Sequence, residues 1–139
     1  MANGTIAADE KTFYEESTNK HSGILSWILS TDHKRIGILY LISISSFFVV
    51  GALLGVLMRL ELIAPGATIM EAQTYNTIFT LHGVIMIFLF IIPGLPAIFG
   101  NFFLPLQLGA ADVAFPRLNL LSWWVYMAGA IMVLVSLFL

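Results

Sequence analysis

The chain has 139 residues, of which 59% are hydrophobic and only 10% charged, and it contains no cysteine. A soluble domain carries roughly 25% charged residues, so this composition, with a mean hydropathy of +0.94, excludes an ordinary soluble domain and predicts a membrane protein. Without cysteine there are no disulfides, thiolate metal sites or thioether-linked haem; the net charge of −2 says little, because acidic and basic residues stand apart.

Residues 1–30 are polar and of mixed charge, without the basic start, apolar core and small-residue cleavage site of a signal peptide. They read as a cytoplasmic N-terminal segment that ends in a short amphipathic piece, residues 24–29, with Trp27 placed for the headgroup level. Ser30 or Thr31 is expected to cap the next helix, and Asp32-His33-Lys34-Arg35 brings a basic cluster to its start. A first transmembrane helix is predicted over about 36–58, uncharged and of spanning length. Its Gly51 and Gly55 form a GxxxG pair, which either admits a close helix partner or is ordinary small-residue content.

The basic cluster places the N-terminus in the cytoplasm by the positive-inside rule. The opposite connection carries Arg59, Glu61, Glu71 and a Pro65-Gly66 turn signal. A second helix, about 77–106, is apolar apart from His82; Pro93 and Pro96 predict a kink or a break in it. The loop 109–119 then returns to the cytoplasm, and a third helix, about 120–139, opens with Trp123, Trp124 and Tyr126 as an interfacial aromatic belt. The expected fold class is all-α, a polytopic transmembrane helical bundle. Because the apolar run reaches Leu139 with no polar tail, the chain reads as part of a longer subunit.

This topology gives polar residues a depth. Arg59 and His82 fall in the outer half. Asn101, 19 residues beyond His82, lies roughly 28 Å further inward, near Asp112 and Asn119. An intramembrane histidine is either an iron, copper or zinc ligand or interhelical glue worth about 1 kcal/mol. Gly83 beside it removes a side chain, which suits a flat, bulky group such as haem. Arg59 either snorkels to the headgroups or donates to a cofactor's polar groups. Glu61 either pairs with Arg59, binds a hard cation with carbonyls near Gly66, or is simply solvated. Asp112 is either a loop carboxylate paired with Arg117 or a proton collector, with Asn101 and Asn119 holding waters behind it.

The segments Thr31-Asp32-His33-Lys34-Arg35-Ile36-Gly37, Arg59-Leu60-Glu61-Leu62, Tyr75-Asn76, His82-Gly83-Val84-Ile85-Met86-Ile87-Phe88, Phe99-Gly100-Asn101 and Gly109-Ala110-Ala111-Asp112-Val113-Ala114-Phe115-Pro116-Arg117-Leu118-Asn119 carry a resemblance. In order and spacing they resemble the haem–copper oxidase superfamily, and within it subunit I of the A-type cytochrome c oxidases. The resemblance implies the first three helices of a subunit of about twelve, in a bacterial inner membrane. It implies that His82 is an axial ligand of the low-spin haem iron (haem A), with Arg59 beside a haem substituent. It also implies that Asp112, Asn101 and Asn119 mark a proton-pathway entrance, and that Glu61 and Gly66 match a variable calcium or sodium site. The implied reaction reduces O2 to water with electrons from cytochrome c and pumps protons. Subunits II and III and membrane lipid would be its partners, with no role for nucleic acid. A high-spin haem and copper would lie in a remainder absent from these residues, and 139 residues alone would be inactive. A quinol oxidase of the same fold and a non-catalytic haem-binding subunit are the competing readings. The sequence departs from the family pattern at Pro93-Gly94-Leu95-Pro96-Ala97-Ile98 and at Ala111, where a proline is common.

Overall fold

A computed structural model describes residues 23–136; the expectations for residues 1–22 and 137–139 lie outside them. Four helices follow one another: α1 (Ile24–Ile28), α2 (His33–Glu61), α3 (Ala72–Leu108) and α4 (Pro116–Val135). The last three are 29, 37 and 20 residues long and apolar enough to cross a membrane. Among the described residues there is no strand, and the fold class is that of a membrane helical bundle.

The helix ends follow from local chemistry, and both ends of α2 and α3 and the start of α4 extend past the bounds that hydropathy marked. Asp32, not Ser30 or Thr31, caps α2: its carboxylate accepts from the Lys34 amide at 3.0 Å. The Ser30 hydroxyl instead accepts from the Asp32 amide at 3.3 Å. Inside α2, Ser43 and Ser46 donate to the carbonyls of Leu39 and Ile42, so neither hydroxyl is left bare among lipid-facing residues. At the end of α3, Gly109 takes φ +63°. The amides of Gly109 and Ala110 donate to the carbonyls of Leu106 and Pro105, the double bond of a glycine-terminated helix. Pro116 opens α4, where a missing N–H is harmless and the fixed φ suits a first turn.

Of the kink or break expected at Pro93 and Pro96, a break is absent. The helix runs on through both, with wide π-type turns over Ile85–Ile91 and Leu95–Phe99. Such turns re-route hydrogen bonds that a proline cannot make.

α2 is the hub. It packs against α3 along most of its length and against α4, whereas α4 meets α3 mainly near Ile85–Ile91. One buried cluster joins Ile36, Tyr40 and Ile44 of α2 to Trp123 of α4. A second joins Phe47 to Ile85, Leu89 and Ala130. The expected aromatic belt is therefore divided: Trp123 is buried and Tyr126 turns toward the bundle, while Trp124 remains 42% exposed. Close approach depends on glycine. A Cβ at Gly37 would stand 2.8 Å from the Phe102 ring, and one at Gly51 would stand 2.7 Å from the Met86 sulfur. The GxxxG pair is thus a real helix–helix contact.

Candidate functional site

Two polar sites occupy opposite ends of the bundle. At the Glu61 end, His82 of α3 lies against the glycine face of α2. Its Nδ1 is 2.8 Å from the Gly51 carbonyl oxygen, an acceptor that can only be met by an N–H. The proton is therefore on Nδ1, and Nε2 keeps its lone pair. A Cβ at Gly55 would sit 3.1 Å from His82 Cε1, so the absence of a side chain there is what seats the ring. At the next residue of α3, a Cβ at Gly83 would meet nothing within 4 Å beyond its chain neighbours and its own helix backbone. A histidine fixed through one nitrogen with the other left as an acceptor is the arrangement of a metal-ligating imidazole, which fits the iron of a group such as haem.

Arg59 is exposed and stands one helical turn past Gly55, on the same side of α2, about 6 Å further along the axis. Glu61 does not pair with it. The Glu61 side chain is buried and accepts from the loop that follows: the Thr68 amide on Oε1 at 2.8 Å, and the Ile69 and Met70 amides on Oε2 at 2.7 and 3.1 Å. The Thr68 hydroxyl adds a fourth bond at 3.3 Å. Three successive amides converging on one carboxylate fold the loop back over the end of α2. Gly66, at φ +96°, makes the turn that allows it. Among the described residues no three histidines or carboxylates converge on a point where they would hold a metal ion.

At the opposite end, Asp112 pairs with His33 rather than Arg117. Asp112 Oδ1 is 2.8 Å from His33 Nδ1 and also accepts from the Val113 amide at 2.7 Å. The His33 side chain is 7% exposed and that of Asp112 45%, so the pair links a buried ring to a water-facing carboxylate. Asp32 lies 3.7 Å from the same His33 nitrogen. Sequence reasoning passed over His33 as one member of a basic cluster. The signal available was topological: two antiparallel connections put the start of α2 beside the loop that carries Asp112.

Behind Asp112, the Asn119 amide donates to the Asn101 side-chain oxygen, and Asn101 donates to the Ala97 carbonyl at 2.6 Å. Asn101 is 3% exposed. The two asparagines line a cavity of about 470 Å³ together with Tyr40, Ser122 and Tyr126; Val113 and Ala114, next to Asp112, form part of its wall. The Tyr40 and Ser122 hydroxyls are 2.8 Å apart, and Ser122 donates to the Asn119 carbonyl at 2.6 Å. The cavity is large enough for several waters and has the polar partners they need. Asn101 and Asn119 thus share one cavity whose wall includes the two residues after Asp112, and His82 lies at the other end of the bundle.

Comparison with known proteins agrees in sequence. The family model described as Cytochrome C and Quinol oxidase polypeptide I matches residues 35–139. A chain of Streptomyces avermitilis named probable cytochrome c oxidase subunit 1-alpha is 47% identical over 108 residues, covering 78% of this chain and 18% of its own length. A 1-beta counterpart in the same organism is 49% identical over 114 residues, covering 82% of this chain and 20% of its own. The probable subunit 1-beta of Nocardia farcinica is 48% identical over 115 residues, covering 81% and 19%. The chain spans about a fifth of the length of these curated relatives.

Proposed function

The chain belongs to the cytochrome c and quinol oxidase polypeptide I family, and from that premise we propose that it forms part of the catalytic subunit of a respiratory terminal oxidase. The whole subunit reduces O2 to water with electrons from cytochrome c and couples this to proton pumping. Cytochrome c is preferred to quinol as donor because the relatives are named for it.

The observation that carries the reading is the His82 bond to Gly51. It fixes the tautomer in which Nε2 would be free to ligate the low-spin haem iron, and the missing side chain at Gly83 would leave room on the same stretch of α3. When bound, haem supplies reversible one-electron chemistry. Its type in this reading is haem A; the high-spin haem and copper belong to residues beyond those given. Arg59, one turn past Gly55, supplies a positive charge that favours the reduced state and meets a polar haem substituent. A calcium or sodium ion at Glu61 would draw on Oε1 and on carbonyls near Gly66.

At the other end Asp112 takes protons from water, His33 holds the carboxylate, and the Asn101–Asn119 pair orders water in the cavity behind. We place this end in the cytoplasm of a bacterial inner membrane, because Lys34, Arg35 and Arg117 gather there. Electrons and protons then arrive from opposite faces. Each charge separated against 100 mV stores about 2.3 kcal/mol. Subunits II and III, and lipid around the exposed apolar faces, complete the assembly.

The test is a reduced-minus-oxidised visible spectrum of the purified complex containing the whole subunit, native and His82→Ala. The native complex should show a low-spin haem band that the substitution removes. A band that survives intact refutes the ligand role.

A further inference from the structure

The prolines of α3 have a consequence on another helix. In α-helical geometry the Leu89 carbonyl accepts from the nitrogen of residue 93, which is Pro93 and has no N–H to give. The wide turns move the ladder on by one residue, so that the Ile92 amide donates to the Ile87 carbonyl. The Leu89 carbonyl, in the same wide turn, accepts from α4: the Tyr126 hydroxyl donates to it at 2.8 Å. The tyrosine ring is held in place by Tyr40 at 5.6 Å between centroids and, edge-on, by Phe47 at 6.0 Å. The same residue lines the polar cavity, seven residues past Asn119 on α4, about 10 Å further from Asp112.

These two facts fall on one oxygen. A tyrosine hydroxyl has one proton, and here it is committed to Leu89. Only lone pairs are left for the cavity, so water reaching Tyr126 must donate toward it. We propose that Tyr126 is a positioning residue for proton delivery, whose hydroxyl ties the wide turn of α3 at Leu89 to α4 and offers the cavity it lines a fixed acceptor. The inference rests on the proton-entry reading above.

The experiment uses the complete oxidase in proteoliposomes. It compares native, Tyr126→Phe, Pro93→Ala, the double variant and Asp112→Asn for haem spectrum, oxygen consumption and protons released per electron. Phenylalanine keeps the ring packing and removes only the donor. With the bond from α4 removed, Tyr126→Phe should keep the haem band, slow turnover about fivefold and lower the proton yield. Pro93→Ala returns an N–H to the backbone near Leu89, so the double variant should recover toward Pro93→Ala alone, a coupling that two independent defects would not show. Full activity in Tyr126→Phe, or additive losses in the double variant while Asp112→Asn remains slow, overturns the positioning role alone. An unaffected Asp112→Asn overturns the proton-entry reading and this inference with it. Should Tyr126→Phe fail to assemble, assembly of the double variant is the expected rescue, and failure of both is refutation.

Discussion

Replacing Gly55 by alanine probes the haem-ligand geometry without touching the ligand. The added Cβ would lie 3.1 Å from His82 Cε1 and 3.4 Å from Nδ1, against the ~3.5–4.0 Å that carbon atoms prefer. The ring must retreat by about half an ångström or α2 and α3 must separate. Retreat lengthens the 2.8 Å bond to the Gly51 carbonyl. Overpacking of this size costs about 1 kcal/mol, the low end of its usual range, and weakening the hydrogen bond adds about another 1 kcal/mol. Together these amount to roughly a 30-fold shift away from the seated ring. In the intact oxidase, Gly55→Ala should therefore move the low-spin haem band and its midpoint potential and speed haem loss under mild denaturant. Gly83→Ala is the companion, because nothing in this chain lies within 4 Å of its new Cβ; haem loss there reports the cofactor itself against that face. An unchanged spectrum and potential in Gly55→Ala would show that the α2 glycine does not seat the imidazole.

Other outcomes follow from the same geometry. Asp112→Asn should slow turnover and lower the proton yield while leaving the haem spectrum intact, and unchanged values for both would remove Asp112 from the proton path. His33→Ala leaves Asp112 with only the Val113 amide among its described donors; its turnover should fall severalfold in the same direction, measured by oxygen consumption. Glu61→Gln keeps the shape but loses the charge that gathers three amides. Limited proteolysis between Glu61 and Glu71 should then accelerate, and an unaltered cleavage rate would sink the anchoring role. Gly37→Ala drives a Cβ to 2.8 Å from Phe102 and 3.1 Å from the Asn101 Cβ. It should destabilise the complex by about 1–3 kcal/mol, and an unshifted thermal transition would contradict close packing there.

Hydropathy alone located the three spans, because about 20 apolar residues in succession have few other uses. It could not locate their ends. Asp32, Pro116 and Gly109 act through one or two hydrogen bonds or a backbone angle, which averaged hydrophobicity does not register. The depth argument put Asn101 and Asn119 at one level, where they are hydrogen-bonded, since a 1.5 Å rise per residue turns sequence separation into distance. It did not single out His33 as the partner of Asp112: depth places residues at a level but not around the helix axis. Trp123 and Tyr126 were misjudged for the same reason. At one depth, a ring turned inward and a ring turned to lipid have the same hydropathy. The prolines of α3 pointed to a disturbance; its form, wide turns completed by a hydroxyl from α4, depends on a neighbour 37 residues away in sequence.

In the proposed reading, the glycine face of α2 separates ownership of a haem ligand from control of it. His82 belongs to α3, yet its tautomer comes from a carbonyl of α2 and its seat from the hydrogen at Gly55 that takes the place of a side chain. At the other end, Gly37 leaves room for Asn101 in the same way. A redox centre built like this can be retuned from a helix that contributes no ligand, by changes as small as one methyl group. Variation along the Gly37–Gly51–Gly55 line would then alter electron affinity and proton access while every chemically reactive side chain stayed the same.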